Sequence, residues 1–339
     1  MDIQGLSEPG QHSPTLADVA KLAQVSPATV SRFINSPDRV APETAERVRQ
    51  AIAQTGYVPN LMAGGLASSR SRLVGLIIPV LDQSIFGSTI QSVTNALADE
   101  GYQIVLGLSG PHDERLEGLI PALLGRRPDG LILTGPMMSP TLRKTLIASG
   151  APIIETWDLP TDPIDSVVGF SHEAIGRTLG EYIIKQGYRR PCLMTTRGVR
   201  ALARRYGLTR ALIEQGRAEP ALITLDPPTT FKDGRRAMAD LLDGGGRPDV
   251  VVCASDWLAH GVMTEAHARG LRIPEDVAVI GFGDLEFATA LIPPLTTIGI
   301  DGSSIGREAA RLFLGRAQGV TREKRIIDVG FRFIARESA

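Results

Sequence analysis

The sequence predicts an α/β protein with a small N-terminal helical domain and a core of two doubly wound lobes. Its 339 residues are enough for about two domains plus an appendage. From Arg72 onward, short β-branched runs alternate with longer segments of helical period, which is typical of βαβ units on a parallel sheet. The first seventy residues instead carry short amphipathic helices. With 43% hydrophobic and 22% charged residues, the composition argues against disorder and collagen.

The N-terminal domain begins with two short helices joined by a three-residue turn. Leu16–Ala23 has one apolar face, and Thr15 is a suitable N-cap for it. The second helix, Pro27–Asn35, has proline at its first position and Ser26 as its cap. This arrangement predicts a helix-turn-helix. A third amphipathic helix over Ala41–Thr55 allows the three helices to enclose a small core.

The charge distribution is more informative than the total of −1. Residues 15–72 carry a net charge of +3, and the chain from residue 73 onward carries −2, so a basic head precedes a faintly acidic body. This pattern weakly indicates contact with nucleic acid. No secretion signal and no apolar run of about 18 residues are found, which predicts a cytoplasmic protein. Cys192 and Cys253 lie in apolar, strand-like runs and are expected to be buried free thiols.

An internal repeat divides the body into two parts. Residues 124–135 and residues 242–255 each combine a helix end, glycine, Arg-Pro-Asp and an apolar strand. Two similar lobes explain this repeat, and a ligand is expected in the crevice outside the carboxyl ends of their strands. The alternative is that Pro-Asp before a strand is only common turn chemistry.

Consecutive motifs of the N-terminal domain resemble the headpiece of the LacI family of bacterial transcription regulators. The matching segments are Thr15–Asn35, Thr44–Val48 and Gly56–Asn60, and the similarity continues through Gly130–Leu133, Cys253–Asp256, Ile280–Asp284 and Pro294–Ile298. Within the family, residues 155–172 and 281–288 look like the gluconate-operon repressors. The resemblance implies a DNA-binding headpiece, a hinge and a core similar to periplasmic binding proteins.

The resemblance implies that the second helix enters the major groove of DNA. The residues expected to contact DNA are Ser26, Pro27, Ala28, Thr29, Ser31, Arg32 and Asn35, with Leu66 as a minor-groove wedge in the hinge. Arg32 suits bidentate reading of guanine, and the short polar side chains suit phosphates. Pro27 and Ala28 can only touch thymine methyl groups or enforce shape. The alternatives are a solvated helix surface for the polar residues and a flexible linker with Leu66 packed against the body.

The resemblance also implies an effector site between the core lobes. The residues carried over are Phe86, Trp157, Arg204, Phe231, Ser255, Asp256 and Asp284. A guanidinium at Arg204 suits a carboxylate or a vicinal diol. Ser255 and Gly283 replace polar side chains frequent in neutral-sugar binders. The loss of an acidic partner while Arg204 is kept, with Arg197 and Arg200 nearby, favours a sugar acid. Asp256 is expected to cap the next helix, Trp157 is as easily explained by wall packing, and Arg197 and Arg200 are expected to be exposed loop charges.

The expected organisation follows from these assignments. It comprises a flexible tail over 1–14, the headpiece over 15–59, the hinge over 60–71, and the core over 72–339, with lobe one at about 72–171 and 300–322 and lobe two at about 172–299 and 323–339. No heptad tail follows the core, so a homodimer on a roughly palindromic operator is expected.

The sequence favours a repressor of carbohydrate or sugar-acid catabolism genes that a small effector releases from DNA. It contains no G-x-S-x-G, Walker A or H-E-x-x-H motif, so an enzyme, a cofactor and a metal site are not expected. Two alternatives stay open. One is a solute-binding protein for a sugar, and the other is an activator or a corepressor-dependent regulator of the same family.

Overall fold

The computed structural model describes residues 13–58, 71–81, 85–320 and 325–339. The chain divides into two compact units, Met1–Ser71 and Arg72–Ala339. Leu66, almost all of the expected hinge and most of the expected N-terminal tail lie outside the described residues.

The N-terminal unit consists of three α-helices and one short 3₁₀ helix. They are α1 (Leu16–Ala23), α2 (Pro27–Asn35), a 3₁₀ turn (Pro37–Arg39) and α3 (Pro42–Thr55). Thr15 forms a capping box with Asp18, because the Thr15 amide donates to the Asp18 carboxylate at 2.8 Å and the Asp18 amide donates to the Thr15 hydroxyl at 3.3 Å. The predicted helix-turn-helix is confirmed, and α3 starts one residue later than predicted because Ala41 is its N-cap.

A small apolar core holds these three helices together. Its fully buried members are Val19, Ala20, Ala23, Val30, Val48 and Ala51. They lie on the inner faces of α1, α2 and α3, as the helical spacing of the apolar residues requires. The opposite face of α2 therefore stays available to solvent or to a partner.

The core unit alternates strands and helices throughout. Its first part contains β1 (Leu73–Ile78), α4 (Gly87–Ala98), β2 (Gln103–Leu108), α5 (Leu116–Leu124), β3 (Gly130–Thr134), α6 (Pro140–Ser149), β4 (Ile153–Thr156) and β5 (Ser166–Gly169). Its second part contains α7 (His172–Gln186), β6 (Pro191–Thr196), α8 (Val199–Glu214), β7 (Ala221–Leu225), α9 (Phe231–Asp243), β8 (Val250–Cys253), α10 (Asp256–Ala268), β9 (Ala278–Gly283), a 3₁₀ turn (Glu286–Thr289) and β10 (Thr296–Gly299). The chain ends with α11 (Gly302–Ala317), β11 (Ile326–Asp328) and β12 (Arg332–Ile334).

These strands form two six-stranded sheets with matching order. The first sheet has the order β11-β5-β4-β3-β1-β2 and the second β12-β10-β9-β8-β6-β7. Among the described residues, all strand pairings are parallel except that of β10 with β12. The two copies of the internal repeat end in β3 and β8, which occupy corresponding positions in the two sheets. The predicted pair of similar doubly wound lobes is thus confirmed.

The chain crosses between the lobes three times, once after β5, once after β10 and once after β11. Helix α11 returns to the first lobe, where it packs against α4 and the strands β3 to β5. Strand β11 also belongs to the first sheet, because Ile326 pairs with Val167. The last crossing therefore follows Asp328, whereas the sequence placed it near residue 323.

Two further expectations concern the cysteines and the lack of membrane-spanning helices. Cys192 and Cys253 are both buried and free, and burial raises the pKa of the Cys192 thiol to about 11. Among the helices of the described residues, none is long and apolar enough to cross a membrane.

Candidate functional site

The exposed face of α2 carries most of the residues predicted to contact DNA. Ala28, Ser31, Arg32 and Asn35 have the i, i+3, i+4, i+7 spacing that places side chains on one helix face, opposite the buried Val30. Ala28, Arg32 and Asn35 are exposed, and Ser31 is half-buried. The Arg32 side chain makes no hydrogen bond or ion pair with any described residue, so its five N–H donors remain available to a partner.

The remaining polar side chains of α2 also serve the helix itself. The Ser26 hydroxyl accepts from the Thr29 amide at 3.2 Å and lies 2.9 Å from the Thr29 hydroxyl, so Ser26 is the N-cap. Pro27 occupies the first helical position and is exposed. Asn35 donates to the Ser31 carbonyl at 2.8 Å and lies within 3.4 Å of the Ser31 hydroxyl. These bonds fix the side chains before any partner arrives.

A cleft of 520 Å³ opens in the core unit at the carboxyl ends of strands from both sheets. Phe86 and Trp157 contribute to its wall from the first lobe, and Arg204 and Phe282 contribute from the second. His172 lies at the crossover between the lobes and also lines the cleft. The location agrees with the rule that doubly wound sheets bind ligands outside the carboxyl ends of their strands.

An aromatic cluster forms the first-lobe wall. The rings of Phe86 and Trp157 meet edge to face with centroids 4.8 Å apart, and Trp157 meets Phe170 at 5.7 Å. The Trp157 indole donates to the Thr89 hydroxyl at 3.1 Å, and only 2% of the residue is exposed. Trp157 also has a φ of +67°, a region that bulky residues rarely adopt outside binding and active sites. Trp157 thus packs as part of the wall.

Arg204 is fixed on the second-lobe side of the cleft. Its guanidinium carbon lies 4.5 Å from the centroid of the Phe282 ring, within cation–π distance. One terminal nitrogen lies 2.9 Å from Nδ1 of His172. Burial, with a smaller contribution from nearby Arg200, lowers the pKa of Arg204 to about 10, so the side chain remains charged at neutral pH. The cleft therefore contains an oriented, partly desolvated cation.

His172 is neutral and holds a single tautomer. Its Nε2 lies 3.0 Å from the carbonyl oxygen of Trp157, and 4% of the residue is exposed. Burial, followed by the charge of Arg204, lowers the pKa of His172 to about 2. Because the guanidinium can only donate, Nδ1 must accept from Arg204 and the proton must reside on Nε2, which donates to the Trp157 carbonyl.

Arg200 lies one helical turn before Arg204 and faces the same cleft. Its guanidinium carbon lies 5.9 Å from the centroid of the Phe86 ring, and the residue is half-buried. Burial lowers the pKa of Arg200, while the carboxylates of Asp158 and Asp113 oppose that shift. The expectation of an exposed loop charge is wrong for Arg200, because the first turn of α8 directs it inward. Arg197 is exposed as expected, with 75% of its side chain accessible.

Four of the predicted effector residues do not belong to the lining of this cleft. The ring of Phe231 packs against His260 at an interplanar angle of 60°, with ring centroids 4.7 Å apart. The Ser255 hydroxyl caps α10 by accepting from the Leu258 amide at 3.2 Å and lies 3.1 Å from the Thr229 hydroxyl. The N-cap of α10 is thus Ser255, whereas the sequence had predicted Asp256 in that role.

The other two of these four residues, Asp256 and Asp284, are carboxylates engaged in internal contacts. Asp256 is fully buried, accepts from the Thr297 hydroxyl at 2.6 Å and from the Leu285 amide at 2.7 Å, and has a pKa raised by burial. Asp284 pairs with Arg336 at 2.6 Å. The family resemblance implied that both contact the ligand, but their hydrogen bonds are satisfied within the second lobe.

Three residues that shape the chemistry of the cleft were not among the predicted effector contacts, although Arg200 was noted near Arg204. His172 follows β5 directly, Phe282 lies near the carboxyl end of β9, and Arg200 precedes Arg204 by four residues. The last two carried usable signals, namely a position at a strand end and the i, i+4 spacing on a helix. His172 carried none, because its role depends on groups that are distant in sequence.

The cleft combines apolar walls with excess positive charge. Arg200 and Arg204 both point to it from the first two turns of α8, and the N-terminus of that helix adds its partial positive charge. Asp158 acts electrostatically on both arginines and Asp113 acts on Arg200, but neither carboxylate forms a hydrogen bond with them in the described part of the chain. Such a site favours a small ligand with both an anionic group and an apolar or sugar-like face.

Comparisons with known proteins agree with this division of the chain. Residues 15–60 match the family of bacterial regulatory proteins called the lacI family, and residues 181–339 match the periplasmic binding protein-like domain. The HTH-type transcriptional regulator GntR of Pseudomonas aeruginosa is 35% identical over 327 residues, which cover 96% of this chain and 95% of that protein.

Solved structures extend the similarity over both units. A LacI-family transcriptional regulator from Silicibacter pomeroyi has a TM-score of 0.88 and 30% identity, covering 96% of this chain and 99% of that one. The lac repressor dimer bound to operator and the anti-inducer ONPF has a TM-score of 0.79 and 26% identity, with coverages of 96% and 99%. The headpiece, the two-lobed core and these relatives lead to one conclusion: the chain belongs to the LacI family of DNA-binding transcriptional regulators.

Proposed function

We propose that this regulator represses genes for the uptake or breakdown of a sugar acid, and that the sugar acid releases it from its operator. The observation that carries the effector class is the pair Arg200 and Arg204 in the cleft. Two guanidinium groups one helical turn apart can bind a carboxylate, while Phe86 and Trp157 offer apolar surface to the carbon chain. A neutral sugar would offer these two guanidinium groups no anionic partner.

The proposed mechanism couples the cleft to the headpiece through the angle between the two lobes. A ligand that binds the two lobe arrangements with different affinity shifts their populations and hence the fraction able to bind DNA. The operator is read by Arg32 and the other exposed residues of α2, with two subunits placing two such helices on a palindromic site. The regulator performs no catalytic step and acts in the cytoplasm, where its operator lies.

Sequence-specific binding is tested first with fragmented genomic DNA of the source organism. Fragments captured at moderate salt are sequenced and searched for a shared palindrome. We expect one beside genes for sugar-acid transport or catabolism. The absence of any enriched sequence across a salt series contradicts specific reading, because nonspecific binding follows salt alone.

The effector class is tested by titrating the operator complex with D-gluconate and with D-glucitol. These two ligands share a carbon chain and differ in having a carboxylate or a CH₂OH group. We expect gluconate alone to release the DNA. Arg200→Gln should abolish the release. Arg205→Gln, a matched change on the same helix at an arginine outside the cleft lining, should not. Release by glucitol equal to that by gluconate would refute the anionic class.

A further inference from the structure

A chain of hydrogen bonds links the two lobes through His172. The His172 Nε2–H donates to the carbonyl of Trp157, at the end of a first-lobe strand, at 3.0 Å. Its Nδ1 accepts from Arg204, on second-lobe helix α8, at 2.9 Å. The Trp157 indole continues the chain to Thr89, whose hydroxyl donates to the Gly302 carbonyl at 2.8 Å.

The position of His172 makes both of its bonds rigid. It is the first residue of α7, directly after the first crossing between the lobes, and Ser171 caps that helix by accepting from the Ala174 amide at 3.1 Å. The imidazole is buried, with Phe170 on one side at a centroid distance of 4.8 Å. A buried donor or acceptor that loses its partner costs free energy, so the ring has little freedom to reorient.

We propose that His172 is a positioning residue that orients Arg204 for the carboxylate of the effector and ties it to the first lobe. This inference rests on the proposed sugar-acid effector. With Phe282 beneath the guanidinium and His172 holding one terminal nitrogen, the remaining N–H groups of Arg204 have a fixed direction toward the cleft. A ligand that binds Arg204 thereby also engages the main chain of Trp157 in the opposite lobe.

Two substitutions each remove one hydrogen bond of the imidazole and keep the other. The side-chain oxygen of His172→Asn can take the place of Nδ1 and accept from Arg204, but its amide does not reach Trp157. The longer amide of His172→Gln can donate to the Trp157 carbonyl from the place of Nε2, but it leaves Arg204 without its acceptor. His260→Ala, at a histidine outside the cleft lining, is the control for general damage to the second lobe.

The readout is the ratio of affinities for D-gluconate and D-glucitol, measured by calorimetry on the full-length protein. We expect His172→Gln to lower the affinity for gluconate roughly 10- to 100-fold and to leave that for glucitol unchanged, because the lost interaction is a charged hydrogen bond. His172→Asn and His260→Ala should keep the wild-type ratio. A wild-type ratio in a folded His172→Gln protein overturns the proposal. If that variant does not fold, the smaller His172→Ala, whose side chain has no acceptor, replaces it.

A second measurement keeps this inference distinct from the proposed function. If the wild-type protein binds neither probe, the sugar-acid effector is refuted, and crystal structures of the wild type and His172→Gln then decide the role of His172. Movement of the Arg204 guanidinium away from the Phe282 ring supports positioning by His172. An unmoved guanidinium overturns it.

Discussion

Replacing Gly176 by alanine tests whether α7 and α8 hold the arginines of the cleft as one tightly packed helix pair. The two helices pack along much of their length. A Cβ added at Gly176 would meet the carbonyl oxygen of Arg204 well inside the contact distance, with the Arg204 carbonyl carbon and the Leu208 amide nitrogen both at 2.8 Å. Since these are backbone atoms, the helices must separate.

The size of the effect follows from this geometry. Relieving the clash requires a separation on the order of 1 Å, given ordinary contact distances of about 3.5 Å. The same movement stretches the 2.9 Å bond between His172 on α7 and Arg204 on α8 beyond hydrogen-bond range. We expect overpacking to cost about 1–3 kcal/mol of stability, and the misplaced Arg204 to weaken gluconate binding roughly 10- to 100-fold.

Gly261→Ala provides a matched control in the same lobe. There an added Cβ would meet the carbonyl oxygen of Phe231 equally closely, with the Arg235 amide nitrogen at 2.8 Å, but α9 and α10 carry none of the cleft arginines. Urea unfolding followed by tryptophan fluorescence reports on the core alone, because Trp157 and Trp257 are the two tryptophans of the chain. Calorimetry then measures gluconate affinity. Equal loss of stability with unchanged affinity in both variants would refute the reasoning.

Three further predictions concern the headpiece, the hinge and the pH dependence of stability. Arg32→Ala should cost roughly 1–3 kcal/mol of operator affinity and relax one base position in a binding-site selection, and an unchanged selection would exclude it as the base reader. Leu66→Ala should reduce operator bending and affinity while leaving effector binding intact; circular-permutation gel shifts that show wild-type bending would contradict the wedge. His172, with its pKa lowered to about 2, stays neutral in the folded protein, whereas the unfolded chain takes up a proton below pH 6.5. The contribution of this imidazole to stability is therefore fully present above pH 6.5 and is lost by about 1.4 kcal/mol per pH unit as the pH falls below that value. Urea unfolding at several pH values should show a greater loss of stability below pH 6.5 in the wild type than in His172→Gln.

Much of the fold was predictable from local patterns in the sequence. The capped helices of the N-terminal unit follow from Thr15, Ser26 and Pro27, whose effects act within one helical turn. The two matching sheets follow from the alternation of apolar strands and amphipathic helices, and from an internal repeat that ends in β3 and β8. Such signals depend on neighbours in the chain and need no knowledge of distant contacts.

The candidate site was only partly predictable, because its side chains are selected by long-range packing. The same sequence resemblance identified Arg204, Asp256 and Asp284. Arg204 lines the cleft, whereas the two carboxylates prove to be engaged in internal contacts. Spacing alone cannot tell a carboxylate that faces a ligand from one that accepts a neighbouring hydroxyl. The direction of Arg200 likewise depended on the exact start of α8.

The sequence by itself determined the helix-turn-helix, the two lobes and the family, since each rests on short-range periodicity or on runs of consecutive motif residues. Only the tertiary structure decided which groups share the cleft. His172, Trp157 and Arg204 come from three different elements, and the bonds among them form because two sheets and a crossover bring them within 3.0 Å. Hydrogen bonds and desolvation act over a few ångströms of space regardless of separation along the chain, so the charge and orientation of this site are properties of the folded molecule.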